Sequence, residues 1–186
     1  NRVGKKILMS GGGRCNFTNT GTSPANFLSA NPHYCKSALA RYLPSDFIDM
    51  VDAHKIAWHE KELGQLFCDV SSKQIVGMLL DECTRAGVQI QTNCSVGEVA
   101  PIEHGFHIDT TQGTVECPAL VVATGGLSIP SMGATGFGYE LARQFGHGVL
   151  PVRAGLVPLT LSGKHQENMM DLSGVALPVE SRCNNA

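Results

Sequence analysis

The sequence predicts an α/β protein with a doubly wound layout, and three segments carry this prediction. Residues 71–87 have the pattern of an amphipathic helix, because they begin with a Ser-x-x-Gln capping box and end at a glycine. Residues 88–96 alternate between apolar and polar side chains, as a half-buried strand does. Residues 119–123 form a continuous apolar run that leads into Thr-Gly-Gly, which is typical of a parallel strand covered on both faces.

The remaining elements fit around this frame. Short helices are expected from Asn31 to Tyr42 and from Ser45 onwards, followed by a hairpin whose strands are residues 56–59 and 66–68. Residues 106–110 and 114–117, each next to a glycine turn, predict a small antiparallel meander inserted before the apolar run. A helix at 139–145 precedes proline-punctuated, β-like runs at 156–161 and 175–179. We therefore expect one domain at 1–150 and the start of a second, β-rich domain at 151–186.

Charge and cysteine usage narrow the possible classes of protein. The chain has 186 residues, a net charge of −2 and no basic run longer than two residues, so we expect no partnership with nucleic acid or membrane surfaces. Seven scattered cysteines without a C-x-x-C motif predict a reducing, cytoplasmic compartment, with neither a disulfide framework nor a zinc site. Because the sequence begins without Met or an opening strand, we expect it to be an internal piece of a longer protein.

Residues 5–19 are the most informative stretch for function. Three consecutive glycines remove side chains so that backbone N–H groups can approach a bulky ligand, and Lys5, Lys6 and Arg14 add positive charge. The stretch matches neither the P-loop nor the G-x-G-x-x-G spacing. It predicts a site for a polyanionic cofactor, in which a side chain at Gly12 would block the cofactor; the alternative is an ordinary flexible loop.

Two further segments share this open backbone. Residues 121–126 end a predicted strand in Ala-Thr-Gly-Gly, where ligands of α/β sheets bind. Residues 133–138 form a glycine-rich turn that leads into a helix, a favourable position for an anion. Either segment alone is equally well explained as a turn, but three such segments within about 140 residues favour one phosphate-bearing ligand.

These motifs resemble the YhiN/BaiN-like family of bacterial flavoproteins. The resemblance covers nearly the whole sequence and is carried by residues 4–19, 60–68, 123–128, 133–139, 156–159 and 172–175. It implies a partial FAD/NAD(P)-binding Rossmann-like domain of the glutathione-reductase/fumarate-reductase type, with the start of an inserted β-rich domain. It also implies FAD as cofactor, NAD(P)H as electron donor and an unsaturated or carbonyl-containing small-molecule acceptor. The family's Gly-x-Gly-x-x-Gly turn would precede Asn1, so we expect this piece alone to be inactive.

The resemblance assigns cofactor contacts by position. Residues 4–16 would run along FAD, the backbone of Val96 would pair with adenine, and residues 124–126 would pass the ribose and pyrophosphate. A Thr-Gly pair at 135–136 resembles one near the cofactor in fumarate-reductase-like proteins. The implied cofactor-binding residues are Lys5, Lys6, Ser10, Gly11, Gly12, Gly13, Arg14, Cys15, Asn16, Val96, Thr124, Gly125, Gly126, Thr135 and Gly136. No catalytic residue, metal ligand or oligomeric state follows.

Several alternatives stay open from the residues. The protein is either a flavin-dependent oxidoreductase or a flavin- or nucleotide-binding module without turnover. Cys15, next to Arg14, is either a redox-active thiol with a lowered pKa or a side chain packed beside the cofactor. The histidine pairs His54/His59 and His104/His107 have spacings that could suggest metal ligands, but we interpret them as structural or exposed.

Overall fold

The computed structural model describes residues 2–155, 160, 162–169, 172, 175 and 180. The chain divides into two compact units, Asn1–Gly146 and His147–Ala186. The first unit contains two small sheets and five helices within the described residues. In the second unit the described helix is α6, Lys164–Met169. The predicted strands at 156–161 and 175–179 lie almost entirely outside the described residues. No helix in the described residues is both long and apolar enough to cross a bilayer.

The first sheet has three antiparallel strands in the order β1, β3, β2. Strands β2 (Trp58–Glu60) and β3 (Gln65–Cys68) form the predicted hairpin, whose turn places Gly64 at φ +78°. Strand β1 (Asn16–Asn19) pairs with β3, with a register irregularity between Asn16 and Thr18. The sequence analysis missed β1, since a four-residue polar strand has no periodicity of its own and depends on its partner.

Three helices surround a core beside this sheet: α1 (Lys5–Met9), α3 (Pro44–Ala53) and α4 (Ser72–Arg85). The predicted helix α4 is confirmed, because the Ser71 side chain accepts from the Lys73 N–H and Gly87 follows the helix at φ +69°. The predicted capping box is not formed, since the buried Gln74 Oε1 has no hydrogen-bond partner. The apolar faces of α3 and α4 pack against the sheet and form a hydrophobic core with it. The buried residues of this core are Cys15, Val51, Ile56, Cys68, Ile75 and Met78.

The second sheet is a meander of strands β4 (Val96–Ile102), β5 (Gly105–Thr110) and β6 (Gly113–Cys117). The predicted strands at 106–110 and 114–117 are therefore confirmed. Helix α5 (Phe137–Gln144) buries its apolar face on this sheet. The Gln144 Nε2 donates to the Val99 carbonyl at 2.6 Å, which ties the helix to the first strand.

The two segments expected to be the main strands of a parallel sheet are not strands here. Residues 88–94 and 119–126 belong to neither sheet, and Val121 and Val88 remain 84% and 53% exposed. A buried parallel strand needs neighbours to take up its backbone hydrogen bonds, and the described residues supply no such neighbour for either segment. The described residues thus form a mixed α/β fold with small antiparallel sheets. The predicted doubly wound parallel sheet does not occur among them.

The helices before the hairpin also begin at other residues than expected. Asn31 and Pro32 lie in turns, and α2 spans Lys36–Arg41. Pro44 begins α3, one residue before the expected start at Ser45, because proline suits the first helical position, which needs no N–H partner. The Asp46 carboxylate accepts from the Leu43 N–H at 2.6 Å and so completes the start of α3.

Candidate functional site

The structure brings the three glycine-rich segments together within the first unit. The Lys6 Nζ donates to the Ser128 Oγ at 2.7 Å, although the two residues are 122 positions apart. A Cβ at Gly138 would lie 2.8 Å from the Thr124 Oγ1, and a Cβ at Gly126 would lie 3.3 Å from the Tyr139 hydroxyl. Glycine at these positions therefore lets the segment 122–128 approach the start of α5 closely.

The glycine run itself is a tight left-handed turn, not a flexible loop. Gly11, Gly12 and Gly13 have φ values of +57°, +65° and +89°, a region that other residues adopt only at a cost. A Cβ at Gly11 would lie 2.5 Å from the Phe67 ring, whereas Cβ atoms at Gly12 and Gly13 would meet nothing within 4 Å. One glycine therefore packs against β3, and the next two leave open space.

A polar groove of about 420 Å³ is formed by three segments that are distant in the sequence. Arg2, Val3 and Lys5 come from the start of the chain, residues 91–94 precede β4, and Met132 and Gly133 precede α5. The volume falls within the range of small-molecule sites. Two exposed cations, amide side chains and a bare glycine backbone match the chemistry of a dinucleotide with its diphosphate. This lining has the chemistry that a phosphate-bearing ligand requires.

The predicted cofactor residues lie in several places in the first unit, and only Lys5 of them is among the residues that line this groove. Lys6 reaches Ser128. The Thr135 Oγ1 accepts from the Phe137 N–H at 3.4 Å, and Gly136 is the N-cap of α5. Of the others, Ser10, Gly11, Gly12, Gly13 and Arg14 form the turn, Cys15 enters the core, Asn16 begins β1, and Thr124, Gly125 and Gly126 form the exposed segment beside α5.

Val96 lies apart from the groove. It borders a second depression of about 230 Å³, together with Asp109 and Thr110 of β5. Its pairing with Thr110 precedes a register shift before Val99, so its backbone lies at an irregular end of the sheet. The groove and this depression are separate, but their linings adjoin in the sequence. Cys94 lines the groove, and Ser95 lines the depression.

Sequence reasoning missed part of the groove lining. Arg2 precedes the conspicuous lysine pair, and residues 91–94 were interpreted as the second half of a strand. Asn93 in fact has a φ of +54°, which breaks an extended strand. Asparagine tolerates this conformation better than most residues, so Thr-Asn-Cys-Ser was the signal for a turn that the alternating pattern concealed.

Cys15 is not an activated thiol. Its side chain is 4% exposed and belongs to the core beside Cys68. Burial raises the pKa of Cys15, and a hydrogen bond with Ser10 opposes this only in part. The pKa of Cys68 is raised to about 11, mainly by burial and further by the neighbouring Cys15 and Asp69. Of the two alternatives left open for Cys15, the thiol with a lowered pKa is therefore contradicted, because the neighbouring Arg14 lies at the surface while Cys15 is buried in the core.

This burial predicts slow chemistry at Cys15. We expect iodoacetamide to alkylate Cys15 in the native protein at pH 8 roughly tenfold or more slowly than after unfolding in urea, because the reactive thiolate is scarce and inaccessible. Cys94, half-buried at the groove, serves as the internal control and should react at a rate closer to that of the unfolded chain. Peptide mass spectrometry gives both rates. Equal native rates at Cys15 and Cys94 would contradict the prediction.

The histidines have carboxylate partners. The His54 Nε2 lies 2.6 Å from Glu82 and the His59 Nδ1 lies 2.6 Å from Asp69. The hydrogen bond with His54 is the main cause that lowers the pKa of Glu82. A hydrogen bond with Glu116, and then one with Asp109, raises the pKa of His107. No group of side chains with the makeup of a metal site occurs among the described residues.

Known proteins resemble this chain over nearly its full length. The profile of a family described as "HI0933-like protein Rossmann domain" matches residues 1–175. The ribosomal RNA dihydrouridine synthase of Escherichia coli K12 is 58% identical over 177 residues, which cover 95% of this chain and 44% of that protein. The protein of the same name from Haemophilus influenzae Rd is 50% identical over 182 residues, covering 96% of this chain and 45% of that protein.

A more distant relative carries a different name. The 3-dehydro-bile acid delta(4,6)-reductase of Clostridium scindens is 28% identical over 165 residues, covering 88% of this chain and 40% of that protein. The chain thus spans less than half the length of the curated relatives it matches.

Proposed function

The chain belongs to the HI0933-like Rossmann-domain family, a family of FAD-binding proteins, and we propose that it is part of a flavin-dependent reductase acting on uracil in ribosomal RNA. The observation that carries this proposal is the identity of 58% and 50% to two proteins named ribosomal RNA dihydrouridine synthase. The polar groove with its two cations, Arg2 and Lys5, supports the cofactor part of the proposal.

The reactions after which these relatives are named share one type of chemistry. Dihydrouridine is uridine whose C5=C6 double bond has been saturated, and that bond is conjugated with the C4 carbonyl. A bile-acid delta(4,6)-reductase likewise saturates double bonds, and in a 3-dehydro substrate these are conjugated with the C3 carbonyl. Each saturation adds two electrons and two protons across the bond. FAD, when bound, supplies the electrons, and NAD(P)H is the proposed donor that reduces the flavin again.

The described residues would bind and orient the cofactor. Arg2 and Lys5 would neutralise the diphosphate from one side of the groove, and the Gln91 and Asn93 amides offer donors and acceptors to ribose or adenine. The Lys6–Ser128 hydrogen bond ties helix α1, which precedes the glycine turn, to the segment 122–128. Cys15 is too deeply buried to transfer a proton to a substrate.

The alternative acceptor is a small unsaturated ketone, as the sequence analysis expected. The 28% identity to the bile-acid reductase favours it, but that relative is considerably more distant. A flavin-binding module without turnover is the other alternative.

One experiment separates these functions. The full-length protein is loaded with FAD, reduced anaerobically with NADH or NADPH, and mixed with unmodified ribosomal RNA transcripts or with a steroid 4-en-3-one. Nuclease digestion and mass spectrometry then measure dihydrouridine. We expect dihydrouridine to form in the RNA and flavin absorbance to return. Return of absorbance with the steroid alone would favour the small-molecule function, bound flavin that no acceptor reoxidises would favour the module, and absence of bound flavin would refute the proposal.

A further inference from the structure

The charges of this chain are distributed very unevenly, which the net charge of −2 conceals. Residues 1–45 contain six Lys and Arg residues and neither Asp nor Glu, whereas residues 46–186 contain eight basic and 16 acidic residues. The first part therefore has a formal charge of +6 and the rest −8. Such an asymmetry indicates a polyanionic partner for the positive part. The groove accounts for Arg2 and Lys5 but not for Lys36 and Arg41.

Lys36 and Arg41 are the first and last residues of α2, and three exposed aromatic side chains lie close to them in the sequence. Tyr34 and Tyr42 are 53% and 50% exposed, and Phe27 is 39% exposed. The side chains of Lys36 and Arg41 are exposed, and neither has a carboxylate partner in the part of the chain that the structure describes. We call the five residues Phe27, Tyr34, Lys36, Arg41 and Tyr42 the basic–aromatic surface.

A groove of about 220 Å³ lies within the same segment. The groove is lined by the apolar side chains of Pro24, Leu39 and Leu43. Ser23 and Lys36 also belong to its lining. Its volume suits one planar ring system. A cation beside an apolar groove can hold a phosphate while a base enters the groove.

The combination favours unpaired nucleic acid over other anions. Aromatic side chains stack on every base, and Lys and Arg contact the backbone phosphates, which is how single strands are bound. An acidic peptide would match the charges but would leave the tyrosines without a function.

We propose that the basic–aromatic surface and the adjoining groove bind a single-stranded segment of ribosomal RNA, which makes residues 22–43 a substrate-binding surface outside the FAD groove. This inference rests on the proposed RNA acceptor. It also replaces the expectation, drawn from the net charge and the short basic runs, that the chain has no nucleic-acid partner, an expectation that no observation of the fold tests.

Binding is measured with the full-length protein and a fluorescein-labelled single-stranded RNA of about 12 nucleotides, by anisotropy at several salt concentrations. Lys36→Glu/Arg41→Glu should weaken binding at least about tenfold and make the slope of log K against log salt less steep by about 1.4, since each lost phosphate contact removes about 0.7. Tyr34→Ala and Tyr42→Ala should each weaken binding about fivefold or more through lost stacking.

The matched control is Lys55→Glu/Lys73→Glu, which changes the net charge equally at two other exposed lysines. It should leave RNA affinity within about twofold, because screening limits distant charges. Circular dichroism and FAD binding verify that each variant is folded.

The outcomes separate this inference from the proposed function. Loss of RNA binding in the surface variants with FAD binding intact supports the inference. It also stands if the protein binds RNA through these residues but never binds FAD, whereas the flavin reductase is then refuted. The inference is overturned if the FAD-loaded protein does not bind RNA, if control and surface variants are equally impaired, or if poly-glutamate competes as well as RNA while the tyrosine variants bind normally.

Discussion

Replacing Gly11 with alanine is expected to lower the free energy of unfolding by about 2–5 kcal/mol. About 1–2 kcal/mol comes from the left-handed backbone, which an alanine adopts with strain. A further ~1–3 kcal/mol comes from overpacking, because the new Cβ would lie 2.5 Å from the Phe67 Cε1 and 3.0 Å from the Asn16 backbone nitrogen. The Phe67 ring cannot move aside freely, since His59 stacks on it and the Lys61 Nζ lies 5.7 Å from its centroid.

Urea denaturation followed by circular dichroism measures this loss, and the chain provides its own control. Gly12 has nearly the same φ, +65° against +57°, but a Cβ there would meet nothing within 4 Å. Gly12→Ala should therefore show the backbone cost alone, about 1–2 kcal/mol. Phe67→Leu should reduce the effect of Gly11→Ala in a double-mutant cycle, because it removes the ring atoms that clash. Equal losses at Gly11 and Gly12 would show that the contact with Phe67 does not matter.

Reversing the charges of the groove is expected to have the largest effect on the cofactor. Arg2→Glu/Lys5→Glu should weaken FAD binding about 100-fold or more, since two charge-assisted hydrogen bonds contribute roughly 1.5–3 kcal/mol each and every ~1.4 kcal/mol is tenfold. The fold should persist, because Lys5 is the first residue of α1 and a glutamate there suits the positive end of the helix. Flavin fluorescence titration gives both affinities.

Two further measurements test where FAD binds. Lys55→Glu/Lys73→Glu, with the same change in net charge, should bind FAD nearly as the unaltered protein does. Bound FAD should also slow alkylation of Cys94, which lines the groove, and should leave the already slow reaction of Cys15 unchanged. Unaltered FAD affinity in the Arg2/Lys5 variant, or full reactivity of Cys94 with FAD bound, would place the cofactor elsewhere.

Local signals in the sequence were sufficient to predict the elements whose caps, turns and apolar faces lie within one short segment. Helix α4 has its cap, its apolar stripe and its glycine stop within 17 residues, and the structure shows all three. The hairpin of β2 and β3 and the two later strands of the meander likewise depend on turns that glycine makes possible. The glycine-rich motifs of the first unit could also be recognised, because a backbone that needs positive φ or close approach selects glycine directly.

Only the tertiary structure decided what each of these residues does. Gly11 and Gly12 are neighbours with the same residue type, yet one packs on Phe67 and the other is open, since Phe67 of β3 is 56 positions from Gly11. The groove joins residues 2–5, 91–94 and 132–133, and the burial that raises the pKa of Cys15 comes from α3, α4 and β3. Contacts between distant segments leave no period in the sequence, so neither the groove nor the thiol's state could be derived locally. The sequence by itself determined which backbone positions had to be bare, and the packing of distant segments decided which of them lie against other side chains and which remain open.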